Sequence, residues 1–339
     1  MNESKAMILG CAGKALTPEE ERFFRAEKPW GFILFARNIG SADEVRALCA
    51  DLRAAVGRAD APVFIDQEGG RVQRIKAPIA PAYPPAAEIG AIYRRDRAAG
   101  LRAAWLMSRL HAFDLKRLGI TADCLPVLDV PVEGANDVIG NRAYGHDPET
   151  VAALGRAAAD GLLAGGVAPV IKHIPGHGRA FADSHLALPV VDAPLAALRA
   201  HDFAPFKALN DLAMAMSAHV VYSAIDPDRP GTTSPIVVND IIRGEIGFDG
   251  LLMSDDVSMK ALAGSFAEKT RAIIAAGCDM VLHCNGVMAE MAEVAAHAPV
   301  MAGRAAERAG RALAPLDDDD GAAEALARAE FAGHVEAVA

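Results

Sequence analysis

Three histidines, His173, His177 and His185, fall within the stretch KHIPGHGRAFADSHLALP (172–189), with Lys172 at its front and Asp183 two places before the last histidine. In an extended segment residues i and i+2 lie on one side, so the Asp183 carboxylate can accept an imidazole N–H of His185 and leave the other ring nitrogen free for proton transfer. A surface loop whose aspartate and histidine merely bond to backbone would show the same spacing. His177, set between Gly176 and Gly178, reads as a loop-shaping residue. Lys172 and His173 place a cation and a polar ring in series, suited to holding hydroxyls and equally compatible with a salt bridge and a core histidine.

The second chemical stretch is LLMSDDVSM (251–259), a buried-strand pattern ending in Asp255 and Asp256. Adjacent side chains on a strand face opposite ways, so only one carboxylate is expected to look into the mouth of a barrel and the pair is not expected to share a proton. A single aspartate there could be a nucleophile, a metal ligand or a helix cap, and one of the two is expected to serve the following helix. Asp66 in FIDQEGGRVQR and Arg142 in IGNRAYG are each ambiguous when taken singly.

These residues need a frame that brings them together. Eight apolar runs of strand length recur along the chain: AMILGCAG, GFILFARN, PVFIDQEGG, ADCLPVLDV, VAPVIKHIP, MAMSAHVVY, LLMSDDVS and CDMVLHCN. Helical patterns separate them, clearest in 42–56, where Val45, Leu48, Leu52 and Val56 recur at helical spacing, and also over 96–117, 149–165, 195–210 and 259–276. Continuous apolar strands imply a sheet buried on both faces, and eight β-then-α units without a GxGxxG turn predict a single-domain (β/α)8 barrel of TIM type. Arg37, Asn38, Asp66, Asp129, Lys172, His173, His219, Asp255, His283 and Asn285 then all fall at the C-terminal ends of strands, where barrel enzymes keep their active sites. The barrel is expected over 1–315, with 316–339 as an acidic tail or peripheral helix.

The chain has 339 residues, 52% of them hydrophobic, and its 34 basic against 44 acidic residues give a formal charge of −10. That balance argues against a sequence-independent grip on nucleic acid or on anionic membranes. Five cysteines, odd in number and mostly inside apolar runs, read as reduced. The N-terminal apolar patch is too short for a signal peptide, and no run reaches the roughly 18 apolar residues of a membrane span. A cytoplasmic location is expected.

The order and content of the motifs resemble one family. KHIPGHG followed after four residues by DSH, with SDD on a later strand and DQEGGRVQR on an earlier one, is similar to the bacterial β-N-acetylglucosaminidases of NagZ type in glycoside hydrolase family 3. The similarity runs from about Gly31 to Gly277. It implies that Asp255 is the nucleophile of a covalent glycosyl-enzyme, that His185 is the general acid/base and that Asp183 is its partner. It further implies that Asp66, Arg74, Arg142, Lys172 and His173 bind the N-acetylglucosamine unit, and that the substrates are muropeptide fragments met in peptidoglycan recycling. No cofactor and no metal is implied, and a monomer is expected. The chain departs from the pattern at Ile174, where Phe is frequent, at Asn141 in GNR, where GDR is usual, and in the looser stretch ITADCLPVLDV.

The implied chemistry is self-consistent. A retaining glycosidase needs an attacking carboxylate and a group that first gives and then takes a proton. An imidazole with an ordinary pKa of about 6.5 can do both near neutral pH, and once neutral it does not repel the anion that attacks. The flanking Pro175, Gly176 and Gly178 predict a loop with shaped ends and a mobile middle. Three rivals are a broader β-glycosidase of the same family, a metal-dependent hydrolase built on His173, His219, His283 and Asp255, and a barrel that binds cell-wall sugar without cleaving it. The family's β-glucosidases usually carry a second domain, whereas this chain holds its own DSH, which favours the aminosugar branch.

Overall fold

Alternation of side chains along the strands organises the molecule. In the computed structural model, which describes residues 3–181, 184, 188–314 and 320–336, eight parallel strands form the centre. They are β1 (Lys5–Leu9), β2 (Pro29–Leu34), β3 (Val63–Ile65), β4 (Ala122–Asp123), β5, β6 (Met214–Ser217), β7 (Leu251–Asp256) and β8 (Met280–His283). Strand β5 has two parts, Ala168–Pro169 and Ile171–Ile174, separated by Val170. The first part pairs with β4 and the second with β6, and these are the two ends of the strand order, so the sheet closes on itself. The closure is reinforced where Val127 pairs with Lys172. The expected TIM-type barrel is the observed fold.

Successive residues of one strand serve two cores. Ile8, Met214, Met216, Leu251, Met253, Met280 and Leu282 belong to an inner cluster with Trp30, Phe64 and Cys124. Their neighbours Met7, Leu9, Ala215, Leu252 and Val281 pack outward with the helices. Each such apolar side chain removed from water contributes roughly 1.5–3 kcal/mol, which is why both faces of every strand read as apolar. The inner cluster is sealed at the N-terminal end of the barrel by Met301, Ala309 and Ala312, on and just before the helix Gly303–Leu313. The opposite end is left open.

The helices begin where local chemistry lets them. Ala42–Val56, predicted to the residue, is capped by Ser41 and Glu44 in a reciprocal box and ends at Gly57. Arg97–Lys116 and Pro148–Ala164 start on Asp96 and Asp147 caps. Two expected helices differ. The 259–276 segment is helical only over Phe266–Ala276, because Gly264 has φ +94° and the Ser265/Glu268 box sets the start there. The 195–210 segment breaks into Leu195–Ala197, a wide turn closed by Phe203 N–H to the Leu198 carbonyl, and Ala204–Ala208. Pro205 has no N–H to continue the ladder.

The MAMSAHVVY run is also split. After β6 ends at Ser217, Val221–Tyr222 leaves the barrel and joins a small sheet with Val190–Val191 and Asp226–Pro230. The helix Glu324–Glu336 lies against Arg97–Lys116, with Ala327 and Phe331 buried. Among the described residues no helix is long and apolar enough to cross a membrane. The described cysteines are all free and buried.

Candidate functional site

The open end of the barrel holds a cavity of about 190 Å³. Strand ends deliver its wall. Asp66 follows β3, Lys172 and His173 lie within β5, Met216 within β6, and Asp255 and Asp256 end β7. Arg74 comes from the end of a hairpin, Gln67–Gly69 with Val72–Gln73, and Arg142 from a tight turn at Gly140–Arg142. The cavity thus gathers Asp66, Arg74, Arg142, Lys172, His173 and Asp255, six residues singled out from the sequence. Asp183 and His185 lie outside the described residues.

One wall is a chain of alternating charge. Asp66 accepts from Lys172 Nζ at 2.9 Å and from Arg74 at 3.1 Å. Lys172 Nζ also meets Glu68 at 2.6 Å, and Glu68 takes Arg142 through Nε at 2.8 Å and a terminal nitrogen at 2.7 Å. Burial would raise both carboxyl pKa values, but the surrounding cations outweigh it. Lys172 and Arg74 hold Asp66 far below the usual carboxylate range, and Arg142 and Lys172 pull Glu68 down to about 2. Burial works against the Lys172 and Arg142 cations in turn, and Asp66 and Glu68 more than compensate, so both stay protonated. The Arg74 guanidinium additionally lies 5.0 Å from the centre of the Phe35 ring.

The hairpin that carries Glu68 is stitched by Gln67. Its side-chain oxygen accepts from the Arg74 and Ile75 N–H groups, its amide donates to the Ile75 carbonyl, and its own N–H reaches Asp123. Gly69, at φ +94°, passes so close to the Pro84 carbonyl that a Cβ would sit 2.3 Å from it. Glu68 and Gln67 were not picked out from the sequence. The available signal was a second acid two residues after Asp66, just before a Gly-Gly pair.

Asp129 organises the next wall. Its carboxylate accepts from His173 Nδ1 at 2.7 Å, from the His173 N–H at 3.2 Å and from the His177 N–H at 2.7 Å. A carboxylate at Nδ1 keeps the proton on that nitrogen and leaves His173 Nε2 available. His177 lies in the cavity lining, with Nε2 3.1 Å from the Ser184 hydroxyl. Burial, and next the neighbouring His173, push its pKa down to about 4, so it is neutral at ordinary pH. Its loop is held tightly here: a Cβ on Gly178 would meet the Val130 carbonyl at 2.1 Å, Tyr222 donates to the Gly176 carbonyl, and Arg179 bonds Asp202. The shaped end of the loop, expected from the sequence, is an anchor over 174–180.

Asp255 and Asp256 correct the expectation of opposite faces, since both line the cavity. The cause is a bulge. Met253 pairs with Met280 but Asp256 pairs with Leu282, so β7 has one residue more than β8 across this interval. Asp256 is spent on structure: it accepts from the Ser258 N–H and hydroxyl and, at 3.1 Å, from the Cys284 N–H. It therefore closes a turn, whereas the following helix is capped by Ser265. Asp255 accepts the Asp256 N–H at 2.8 Å.

Other rim residues belong to the framework. Arg37 and Asn38 bond the carbonyls of Cys11, Gly13 and Cys284. His219 lies between Thr232 and the Asp256 carbonyl, and His283 and Asn285 share Glu290. Burial lowers the His219 pKa. Among the described residues no group of three or more His, Cys, Asp or Glu side chains is arranged to hold a metal ion.

Known proteins carry the same chain pattern. Residues 15–311 match the model of the glycosyl hydrolase family 3 N-terminal domain. The chain is 41% identical over 285 residues to the β-hexosaminidase of Bordetella parapertussis, covering 82% of this chain and 79% of that protein. It is 40% identical over 306 residues to the β-hexosaminidase of Chromobacterium violaceum, covering 89% and 85%. Its fold superposes with a TM-score of 0.85 and 32% identity on NagZ from Neisseria gonorrhoeae in complex with N-trifluoroacetyl-D-glucosamine, over 99% of this chain and 97% of that one. A family 3 β-N-acetylglucosaminidase from Paenibacillus superposes with a TM-score of 0.83 and 27% identity, over 98% of this chain and 66% of that one. The chain belongs to glycosyl hydrolase family 3.

Proposed function

We propose that this chain is a retaining β-N-acetylglucosaminidase that removes terminal β-linked N-acetylglucosamine from peptidoglycan fragments. The observation that carries the reading is the presence of Asp255, at the end of β7, in one cavity with the buried charge wall of Asp66, Lys172 and Arg142. A volume of about 190 Å³ lies below the roughly 300 Å³ at which pockets for drug-sized ligands begin, which suits one sugar unit. The relatives named β-hexosaminidase, and the gonococcal protein solved with an N-acylated glucosamine, support the same choice of glycon.

In this reading Asp66, Arg74, Arg142, Lys172 and His173 hold the glycon by its hydroxyls and acetamido group. An Asp255 carboxylate oxygen attacks the anomeric carbon as the bond to the aglycone oxygen breaks. His185, oriented by Asp183, gives its proton to that leaving oxygen. Neutral His185 then takes a proton from water as the water oxygen displaces Asp255 from the anomeric carbon. Asp255 returns as a carboxylate and the product keeps the β configuration. Cell-wall recycling in the cytoplasm is the setting that such a substrate implies.

A fluorinated N-acetylglucosaminide that forms the glycosyl-enzyme readily and hydrolyses it slowly tests the proposal. Peptide mass spectrometry is expected to find the label on Asp255. A label on another residue, or none with an enzyme that still releases product, would overturn it.

A further inference from the structure

Glu68 is the hub of the charge wall and does not itself line the cavity. Its Oε1 forms an ion pair with Lys172 Nζ at 2.6 Å and accepts from Arg142 at 2.7 Å, and its Oε2 accepts from Arg142 Nε at 2.8 Å. The side chain is 4% exposed. Both oxygens are therefore committed to two cations that do line the cavity. Lys172 has three N–H groups, one of which donates to Asp66, while Glu68 pairs with the ammonium as a charge. Arg142 has five, of which two meet Glu68 and one the Val138 carbonyl. Among the described residues, at least one ammonium hydrogen of Lys172 and two guanidinium hydrogens of Arg142 meet no partner.

We infer that Glu68 is a positioning residue for glycon recognition: it locks Lys172 and Arg142 so that their remaining donors face the sugar, without touching the sugar itself. The inference rests on the proposed aminosugar reading. The geometry favours it over a purely structural role because the two cations come from separate elements, β5 and the 140–142 turn, and Glu68 is the only carboxylate among the described residues that bonds both. A bidentate clamp fixes the plane of the Arg142 guanidinium as well as its position. The same carboxylate helps keep the buried Lys172 charged. The groups around Lys172 are Asp66 beyond β3, Glu68 in the hairpin, Asp123 and Cys124 in and after β4, and Arg142. Removing the Glu68 charge leaves Asp66 as the one carboxylate among the described residues that is ion-paired with Lys172, so the Lys172 pKa should fall.

Glu68→Gln keeps the shape and removes the charge. With an aryl β-N-acetylglucosaminide, KM should rise about 10- to 100-fold, the range of a charged hydrogen bond, while kcat changes little. The dissociation constant of free N-acetylglucosamine should rise in parallel, and KM should acquire an alkaline limb absent from the parent. In a Lys172→Met background, Glu68→Gln should add much less than it does alone. Where Glu68→Gln does not fold, Glu68→Asp serves, and its shorter arm should raise KM with kcat little changed. A folded variant with unchanged KM and sugar affinity, altered only in melting temperature, would overturn the inference and leave the function standing. Failure of the parent enzyme to turn over the substrate would overturn both.

Discussion

Among the ionic networks of the described residues, one sits at the mouth of the barrel and another beneath the helix Glu324–Glu336. At the mouth Asp66, Glu68, Lys172 and Arg142 come from strand ends and loops distant in sequence, and three of the four also line a cavity. Under the C-terminal helix, Asp114 takes Tyr83, Arg117 and Arg328, while Arg102 grips Glu330 with two bonds of 2.7 Å. Both networks pair carboxylates with arginine, with a lysine added at the mouth and a tyrosine under the helix. What differs is the surroundings: the second network ties one helix to another, whereas three members of the first line a cavity of about 190 Å³. Ion pairing by itself thus carries no functional information here. A cavity beside the pair does.

The largest expected effect lies at Asp255, which lines the same cavity as the mouth network. Asp255→Ala should lower kcat by roughly 10⁴-fold or more, on the scale of removing one member of a catalytic set, while affinity for N-acetylglucosamine measured by calorimetry stays within a few-fold. Retained turnover would remove Asp255 from the chemistry. Next in size is His185→Ala, with an expected loss of about 10²- to 10⁴-fold. The loss should be large on substrates with poor leaving groups and small on activated aryl glycosides. Equal loss on both would contradict an acid role.

The sequence made the barrel legible because a strand buried on both faces cannot hide among polar residues, so eight apolar runs marked eight strands. Most of the cavity was legible for a related reason: Asp66, Lys172, His173 and Asp255 are polar residues set abruptly at the ends of such runs. Two things were not legible, and a third was legible but missed. The β7 bulge turns Asp256 toward the cavity, and an extra residue in a ladder leaves no mark in composition. Glu68 reaches Lys172 and Arg142 only after the hairpin folds under the mouth, a contact set by tertiary structure. The late start of Phe266–Ala276 was in principle readable, since Gly264 and the Ser265/Glu268 box precede it, but alanine-rich periodicity upstream concealed it. For the Asp183 and His185 pair, spacing and resemblance remain the whole of the argument.

Acid acts on the mouth network through stability. Glu68 has a folded pKa of about 2 against an ordinary 4.5, and Asp129 about 2 against 3.8. A depressed carboxyl pKa contributes stability that is fully present above the unfolded value and is lost as pH falls through the folded value. Stability should therefore drop between about pH 4.5 and pH 2, followed by urea unfolding at fixed pH. Glu68→Gln should be less stable than the parent near neutrality and show a shallower decline over that window. A parallel decline in both proteins would mean that the network at the mouth contributes nothing to acid sensitivity.

The smallest effect on catalysis belongs to the other network. Arg328 donates to Asp114 at 2.6 Å and to the Tyr83 hydroxyl at 3.2 Å, from a helix that buries Ala327 and Phe331 against the barrel. Arg328→Ala removes one cation, yet Asp114 keeps the Tyr83 hydroxyl and Arg117, so no buried carboxylate is stranded. The cost should be about 1–2 kcal/mol, near the lower end for a hydrogen bond to a charged group because Arg328 is partly exposed. For a chain of this length that is a fall of a few degrees in Tm. KM and kcat should stay within a factor of two, because none of these side chains lines the cavity. If Arg328→Ala instead raised KM as Glu68→Gln is expected to, the two networks would be coupled through His111, whose ring meets Tyr83 edge-on and lies 3.8 Å from Asp123, the acceptor of the Gln67 N–H, and the division between docking and recognition would fail.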